Sequence, residues 1–177
     1  MWLGENGLMY KTKDWFKIEE LVPKKIYDEF ESRGKLATLW TLFDDRALMS
    51  LDALKALYCP DEPVIVNNWP FLIDKDGGNH FRGARPWVCK DKNGKNIGAE
   101  YSQHKFWRAF DVTFTGITAE EIRQDVLKMK PWQIEKKGLQ YIRRFEKDVS
   151  WLHFDTGNAG NNVFTDFRSG KHEIILF

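Results

Sequence analysis

Cysteine is scarce in this chain. Among its 177 residues there are two, Cys59 and Cys89. They form no C-x-x-C pair, so no disulfide framework is encoded, and they read as two reduced thiols of a reducing compartment. A surplus of one charge is also missing. Lys and Arg number 27 against 26 Asp and Glu, a net charge of +1, with no long run of either sign. That argues against a nucleic-acid partner, which calls for a strongly basic field. No apolar run approaches the roughly 18 residues of a membrane span. The start, "MWLGENGLMYKTKDW", lacks the basic head and apolar stretch of a signal peptide. Internal repeats, low-complexity tracts and linkers are absent too, and the length suits one domain, read as a monomer.

What is abundant is aromatic. Hydrophobic residues make up 42% of the chain and aromatics 15%, with eight Trp and thirteen Phe. That is enough for a core, with aromatics to spare for a groove.

Pro23 and Gly34 bracket a predicted helix over about 23–33, with Ile26, Tyr27 and Phe30 as its apolar face. A second helix is predicted from Asp45 to Leu57, capped by Asp44 or Asp45, with Ala47, Leu51, Leu54 and Tyr58 on one stripe. "VIVNNW" reads as a buried strand, and the "HFRGAR" region as a short one. "DKDGGN" and "DKNGKN" are turns, the latter centred on Asn93-Gly94. "RAFDVTF" alternates Ala109, Asp111 and Thr113 against Phe110, Val112 and Phe114, as in a half-buried strand. "TGITAEEIRQDVLKMK" carries a capping box, Thr118 with Glu121, and is the clearest helix. Pro131 opens or interrupts the next segment. "LQYIRRFE" and "SWLHFD" read as strands joined around Lys147 to Val149, and "EIILF" as a last strand. Helices come early and strands late, so the predicted class is α+β: residues 1–43 form an N-terminal arm and helix, and 44–177 the core.

Four histidines are present: His80, His104, His153 and His172. His104 and Asp111 flank "KFWRAF", and His153 lies in the predicted strand "SWLHFD". Two histidines and a carboxylate are a common catalytic zinc set that leaves a fourth position open. Imidazole and carboxylate both suit that ion. On spacing alone this signal is weak, and a satisfied core histidine is the more ordinary reading of a lone His in an aromatic strand.

The flanking residues add a resemblance. "SQHKFWRAFD" resembles the S-x-H-x-x-G-x-A-x-D motif of the zinc D-Ala-D-Ala carboxypeptidase and L-alanyl-D-glutamate endopeptidase family, whose fold is shared by the Hedgehog signalling domain. Ser102, His104, Ala109 and Asp111 fall in register. "WLHFD" resembles the family's W-x-H-x-D, "RGARP" its S-G-x-R-P, and "NIGAEYSQH" its G-G-A-x-x-S-x-H. "VIVNNW" looks like the strand preceding these motifs in phage-type members. The resemblance spans roughly residues 44 to 157.

The resemblance implies a small antiparallel sheet flanked by helices, with Zn²⁺ held by His104, Asp111 and His153. Arg85 would polarise the scissile carbonyl or grip a substrate carboxylate. The general base would come from Glu146 or Asp148, of which Glu146 is preferred because a hairpin would fold it back beside the metal. Ser102 and Asp155 would support the ligands through hydrogen bonds, Tyr101 would line the cleft and Trp151 would pack beneath it. His80 and His172 read as surface residues. Two positions depart from the family pattern. Its glycine is Trp107 here, an indole that would narrow the cleft, and the residue three before His153, acidic in some relatives, is Ser150.

The implied function is a zinc metallopeptidase cutting peptidoglycan stem peptides, as a D,D-carboxypeptidase or an L-Ala–D-Glu endopeptidase. With no signal peptide, it would be a phage lysis enzyme (an endolysin) held in the host cytoplasm until lysis, or a virion component. The alternative is a zinc-containing module, binding or structural, that does not cut; Trp107 and Ser150 favour it.

Overall fold

The structure, a computed structural model, describes residues 14–70, 81–90, 93–96 and 98–157, together with the backbone of 163–165 and 172–174. The chain opens with a 3₁₀ turn, Ile18–Glu20, and three helices: α1 (Lys24–Ser32), α2 (Leu36–Trp40) and α3 (Asp45–Tyr58). Strand β1 (Val64–Ile65) comes next. A second 3₁₀ turn, Gln103–Phe106, leads into β2 (Ala109–Phe114). Helices α4 (Ala119–Lys128) and α5 (Pro131–Lys136) precede β3 (Arg144–Glu146), β4 (Leu152–Asp155), β5 (Val163–Thr165) and β6 (His172–Ile174).

Local chemistry sets the helix ends. Gly34 takes the left-handed conformation past α1, at φ 65°, where a Cβ is disfavoured. Asp44 caps α3 by accepting the Arg46 N–H at 3.0 Å. Thr118 and Glu121 cap α4 reciprocally: each accepts the other's backbone N–H, at 3.2 and 2.8 Å. Pro131 is the first residue of α5, where its missing N–H costs nothing.

The sheet runs β1-β2-β4-β3-β5-β6. Its first four strands are antiparallel neighbours, whereas β5 pairs parallel with β3, so the sheet is mixed rather than wholly antiparallel. The α+β class stands. Several expected details do not. "VIVNNW" pairs only through Val64 and Ile65, at the sheet edge. Residues 81–86 form bends instead of a strand. β2 has only Thr113 of its six residues exposed, so it is more deeply buried than a half-buried strand. The last strand starts at His172, earlier than expected. The "DKDGGN" turn lies outside the described residues.

The N-terminal region is not an arm from residue 16 onward. Phe16, Ile18, Leu21, Val22, Leu39 and Phe43 are buried in the same core as Leu51, Leu54, Phe110 and Phe154. Backbone bonds secure it: Asn67 N–H donates to Glu20 O and Ala84 N–H to Leu21 O, both at 2.9 Å. Among the described residues no helix is long and apolar enough to cross a membrane.

Candidate metal centre

Strand register builds the site. In β2 and β4, Asp111 sits opposite His153 and Ala109 opposite Asp155. In β3 and β4, Arg144 sits opposite Asp155 and Phe145 opposite Phe154. Continuing that register places Glu146 across from His153. Side chains alternate between faces, so Asp111, His153 and Glu146 form one row across three strands, with Asp155 and Arg144 in the next. Phe110, Phe145 and Phe154 point to the opposite face, into the core.

His104 reaches this row from the 3₁₀ turn before β2. Trp107 ends the turn in the left-handed region, at φ 59° and ψ 36°. There the chain reverses: Trp107 N–H returns to His104 O at 3.2 Å, and Arg108 N–H to Gln103 O at 3.1 Å. The reversal lets His104 and Asp111, on either side of it, face the same cleft. Glycine takes this backbone shape most readily. Trp107 adopts it at a cost of about 1–2 kcal/mol, and its indole turns away from the cleft to pack edge-on against Phe43, ring centres 4.8 Å apart. It is not among the residues lining the cleft. The expected narrowing by Trp107 therefore does not occur. Trp107→Gly should relieve the backbone but forfeit half-buried packing. We expect a net stability loss of about 1–3 kcal/mol in denaturant melts with the cleft unchanged; a gain in stability would show that the Phe43 contact contributes little.

Three ligand atoms converge. His104 Nε2 lies 3.2 Å from His153 Nδ1 and 3.2 Å from Asp111 Oδ1. His153 Nδ1 lies 2.6 Å from Asp111 Oδ1. All three residues are buried, and their ligand atoms form a group that could hold a metal ion. The outer atoms are occupied in a way that fixes the inner ones. His104 Nδ1 is 2.8 Å from Gly83 O and donates to it, which leaves Nε2 with its lone pair toward the cluster. His153 Nε2 faces Asp155 Oδ2 at 3.5 Å. Asp155 is itself gripped by Arg144 Nε at 2.8 and 3.1 Å and by Gly157 N–H at 2.9 Å.

The electrostatics agree. Burial opposes charge on His153, but Asp111 and Asp155 outweigh it and push its pKa up to about 9. Burial would raise the Asp111 carboxyl, yet the imidazoles of His104 and His153 hold it well below the usual carboxylate range. Burial pushes the His104 imidazole below its usual value, against the pull of Asp111.

Gly83 ties the centre to the N-terminal turn. A Cβ there would meet Leu21 O at 2.0 Å, the same oxygen that accepts the Ala84 N–H. Gly83→Ala should therefore displace the carbonyl that orients His104. We expect a loss of about 2–4 kcal/mol in stability together with weaker metal retention against a chelator. Wild-type values for both would mean the backbone yields there freely.

The cleft has a volume of 320 Å³, and the three candidate ligands share it with Arg85, Glu146, Arg144 and Trp151. Arg85 is fixed by Phe81 O, 2.6 Å from its Nε, and by Asp111 Oδ2, 3.3 Å from Nη2. Ser102 also lines the cleft; Tyr101, 70% exposed, stands at its rim. Trp151 packs under the Arg82 guanidinium, 5.7 Å from the ring centre. Asp148 and Ser150 are exposed, and neither lines the cleft. Asp148 sits in the β3–β4 turn at φ 58°. His80 lies outside the described residues, and only the backbone of His172 is described, in β6. Cys59 and Cys89 are buried and free.

Two contributors were not anticipated from sequence. Arg144 shares the strand face of Glu146, a signal that the alternation in "RRFE" carries. Gly83 is the glycine of "RGARP", but the reason for it, a contact with Leu21, is distant in sequence.

No family model, curated protein or solved structure matches this chain.

Proposed function

We propose that the chain is a zinc-dependent peptidase acting on peptidoglycan stem peptides, as a D,D-carboxypeptidase or an L-Ala–D-Glu endopeptidase. The observation that carries this reading is the single row of Asp111, His153 and Glu146 across three strands, with His104 and Arg85 in the same cleft. A tetrahedral ion with bonds of about 2.0–2.1 Å separates its ligands by about 3.3 Å. Two of the separations, 3.2 Å each, come close to that, and the third, the 2.6 Å hydrogen bond between His153 and Asp111, would open as an ion took the proton's place; two imidazoles and a carboxylate are a donor set that zinc takes. His104, Asp111 and His153 would hold it, leaving a fourth position toward the cleft. When bound, zinc supplies Lewis acidity that polarises a carbonyl and lowers the pKa of water from about 15.7 to about 7.

The chain's own groups then divide the work. The Glu146 carboxylate takes a proton from the attacking water and passes it to the leaving amine nitrogen. The Arg85 guanidinium, held by Phe81 O and Asp111, faces the scissile carbonyl or a carboxylate of the acidic stem peptide. Asp155 and Gly83 keep the two imidazoles oriented.

The non-cutting module loses its main argument, because the Trp107 indole lies on Phe43 and not in the cleft. Ser150 also counts for less, because Glu146 reaches the cleft from the adjoining strand. A phage lysis enzyme or a virion component remains the biological setting this activity suits. Zymography on purified cell wall is the test: clearing that a chelator abolishes and added zinc restores supports the peptidase. Bound zinc without clearing would return the reading to the binding module.

A further inference from the structure

We propose that Arg123 is a positioning residue for Glu146, its guanidinium clamping the β3–β4 turn so that this carboxylate stays beside the metal ligands; the proposal rests on the reading of Glu146 as the proton carrier. Arg123 lies on α4 beside the core residues Ile122 and Val126 and is only 3% exposed. Its Nη1 donates to Glu146 O at 3.1 Å and to Trp151 O at 3.2 Å, and its Nη2 to Val149 O at 2.9 Å. Its Nε donates to Glu120 Oε2 at 2.8 Å. Three carbonyls of one turn thus converge on a single buried cation.

A buried charge is costly, and burying one to bind carbonyls needs a reason. The turn supplies it. Asp148 holds a left-handed backbone at φ 58° without being glycine, so the conformation needs outside support. The guanidinium spreads its two terminal nitrogens over three carbonyls in one fixed plane, so all three are held in a single geometry. The clamp acts at the right place. Glu146 is the last residue of β3, and its own carbonyl is one of the three held. His153, by contrast, is fixed by pairing with Asp111 in β2 and by the β3 register. Loosening the clamp should therefore displace Glu146 and leave the ligands in place.

The test uses the zinc-loaded full chain with Arg123→Met, which removes all three carbonyl contacts. Zinc content should stay at the wild-type value. Amide hydrogen exchange should quicken by about tenfold or more within residues 147–151 while 152–155 stay protected. On a soluble stem peptide, kcat should fall by roughly 10- to 100-fold with KM nearly unchanged, the size of effect a misplacement of about 1 Å produces. Glu120→Gln, which leaves the three carbonyl contacts intact, should keep wild-type kcat. If the methionine variant does not fold, Arg123→Gln keeps one short donor group that cannot span the three carbonyls and supplies the same readouts. Unchanged exchange in the turn would overturn the clamp. Faster exchange with unchanged kcat would overturn the positioning role, and loss of zinc would show that Arg123 acts through the ligands instead. A wild type that clears no cell wall would defeat the peptidase reading and the catalytic half of this proposal, while the exchange data would still decide the mechanical half.

Discussion

Glu146→Gln is expected to keep about one zinc per chain and to lose roughly 10²–10⁴-fold in turnover, the range for a positioned acid/base. Glutamine preserves the size and polarity of the side chain but cannot accept a proton. The register supports this separation of roles, since Glu146 lies across from His153 yet is not one of the three converging ligand residues. Asp148→Asn should have little effect, because Asp148 is exposed in the turn and does not line the cleft. Metal analysis and rates on a defined stem peptide, measured on the same preparations, check both variants. A reversed result would move the base to Asp148. Full activity in both would place the proton transfer elsewhere.

His104→Ala, Asp111→Ala and His153→Ala should each remove most of the zinc. Losing an outer partner of a ligand typically costs 10- to 100-fold in affinity, and losing a ligand should exceed that, so a loss beyond about 100-fold is expected for each. Asp155→Asn is the graded comparison. It keeps all three ligands but weakens the hold on His153 Nε2, so its loss should stay within about 10- to 100-fold. His80→Ala and His172→Ala should retain zinc. Asp111→Ala should also destabilise the metal-free protein, because it removes the 2.6 Å partner of buried His153 and leaves Asp155 as its remaining carboxylate. Competition against a chelator and denaturant melts read the two effects separately. Full zinc in His153→Ala would show that the ligand set is wrong.

Much of this site was legible in sequence because its parts sit on local patterns. Alternation in "RAFDVTF" put Asp111 on one strand face, and the aromatic flanks of His153 marked a second strand. The capping box at Thr118 fixed α4, and Gly34 the end of α1, since both depend on neighbours within a few residues. What escaped depends on distant contacts. The parallel pairing of β3 with β5 joins segments with little signature of their own. "VIVNNW" has strong strand propensity, but only two residues find a partner, so tertiary pairing overrode it. Trp107 misled because a motif position records backbone shape as well as side-chain size. The left-handed turn is kept while the indole is sent to Phe43. That residues 16–43 pack on the core beside Gly83 and Asn67 cannot be read from local periodicity.

The most direct test is to titrate zinc into the metal-free full chain while following cleavage of a soluble stem peptide by mass spectrometry. The account predicts no cleavage without metal, a rate that rises in proportion to zinc, and saturation at one zinc per chain. Cleavage that persists in the metal-free protein, or saturation at one zinc with no cleavage at all, would contradict it.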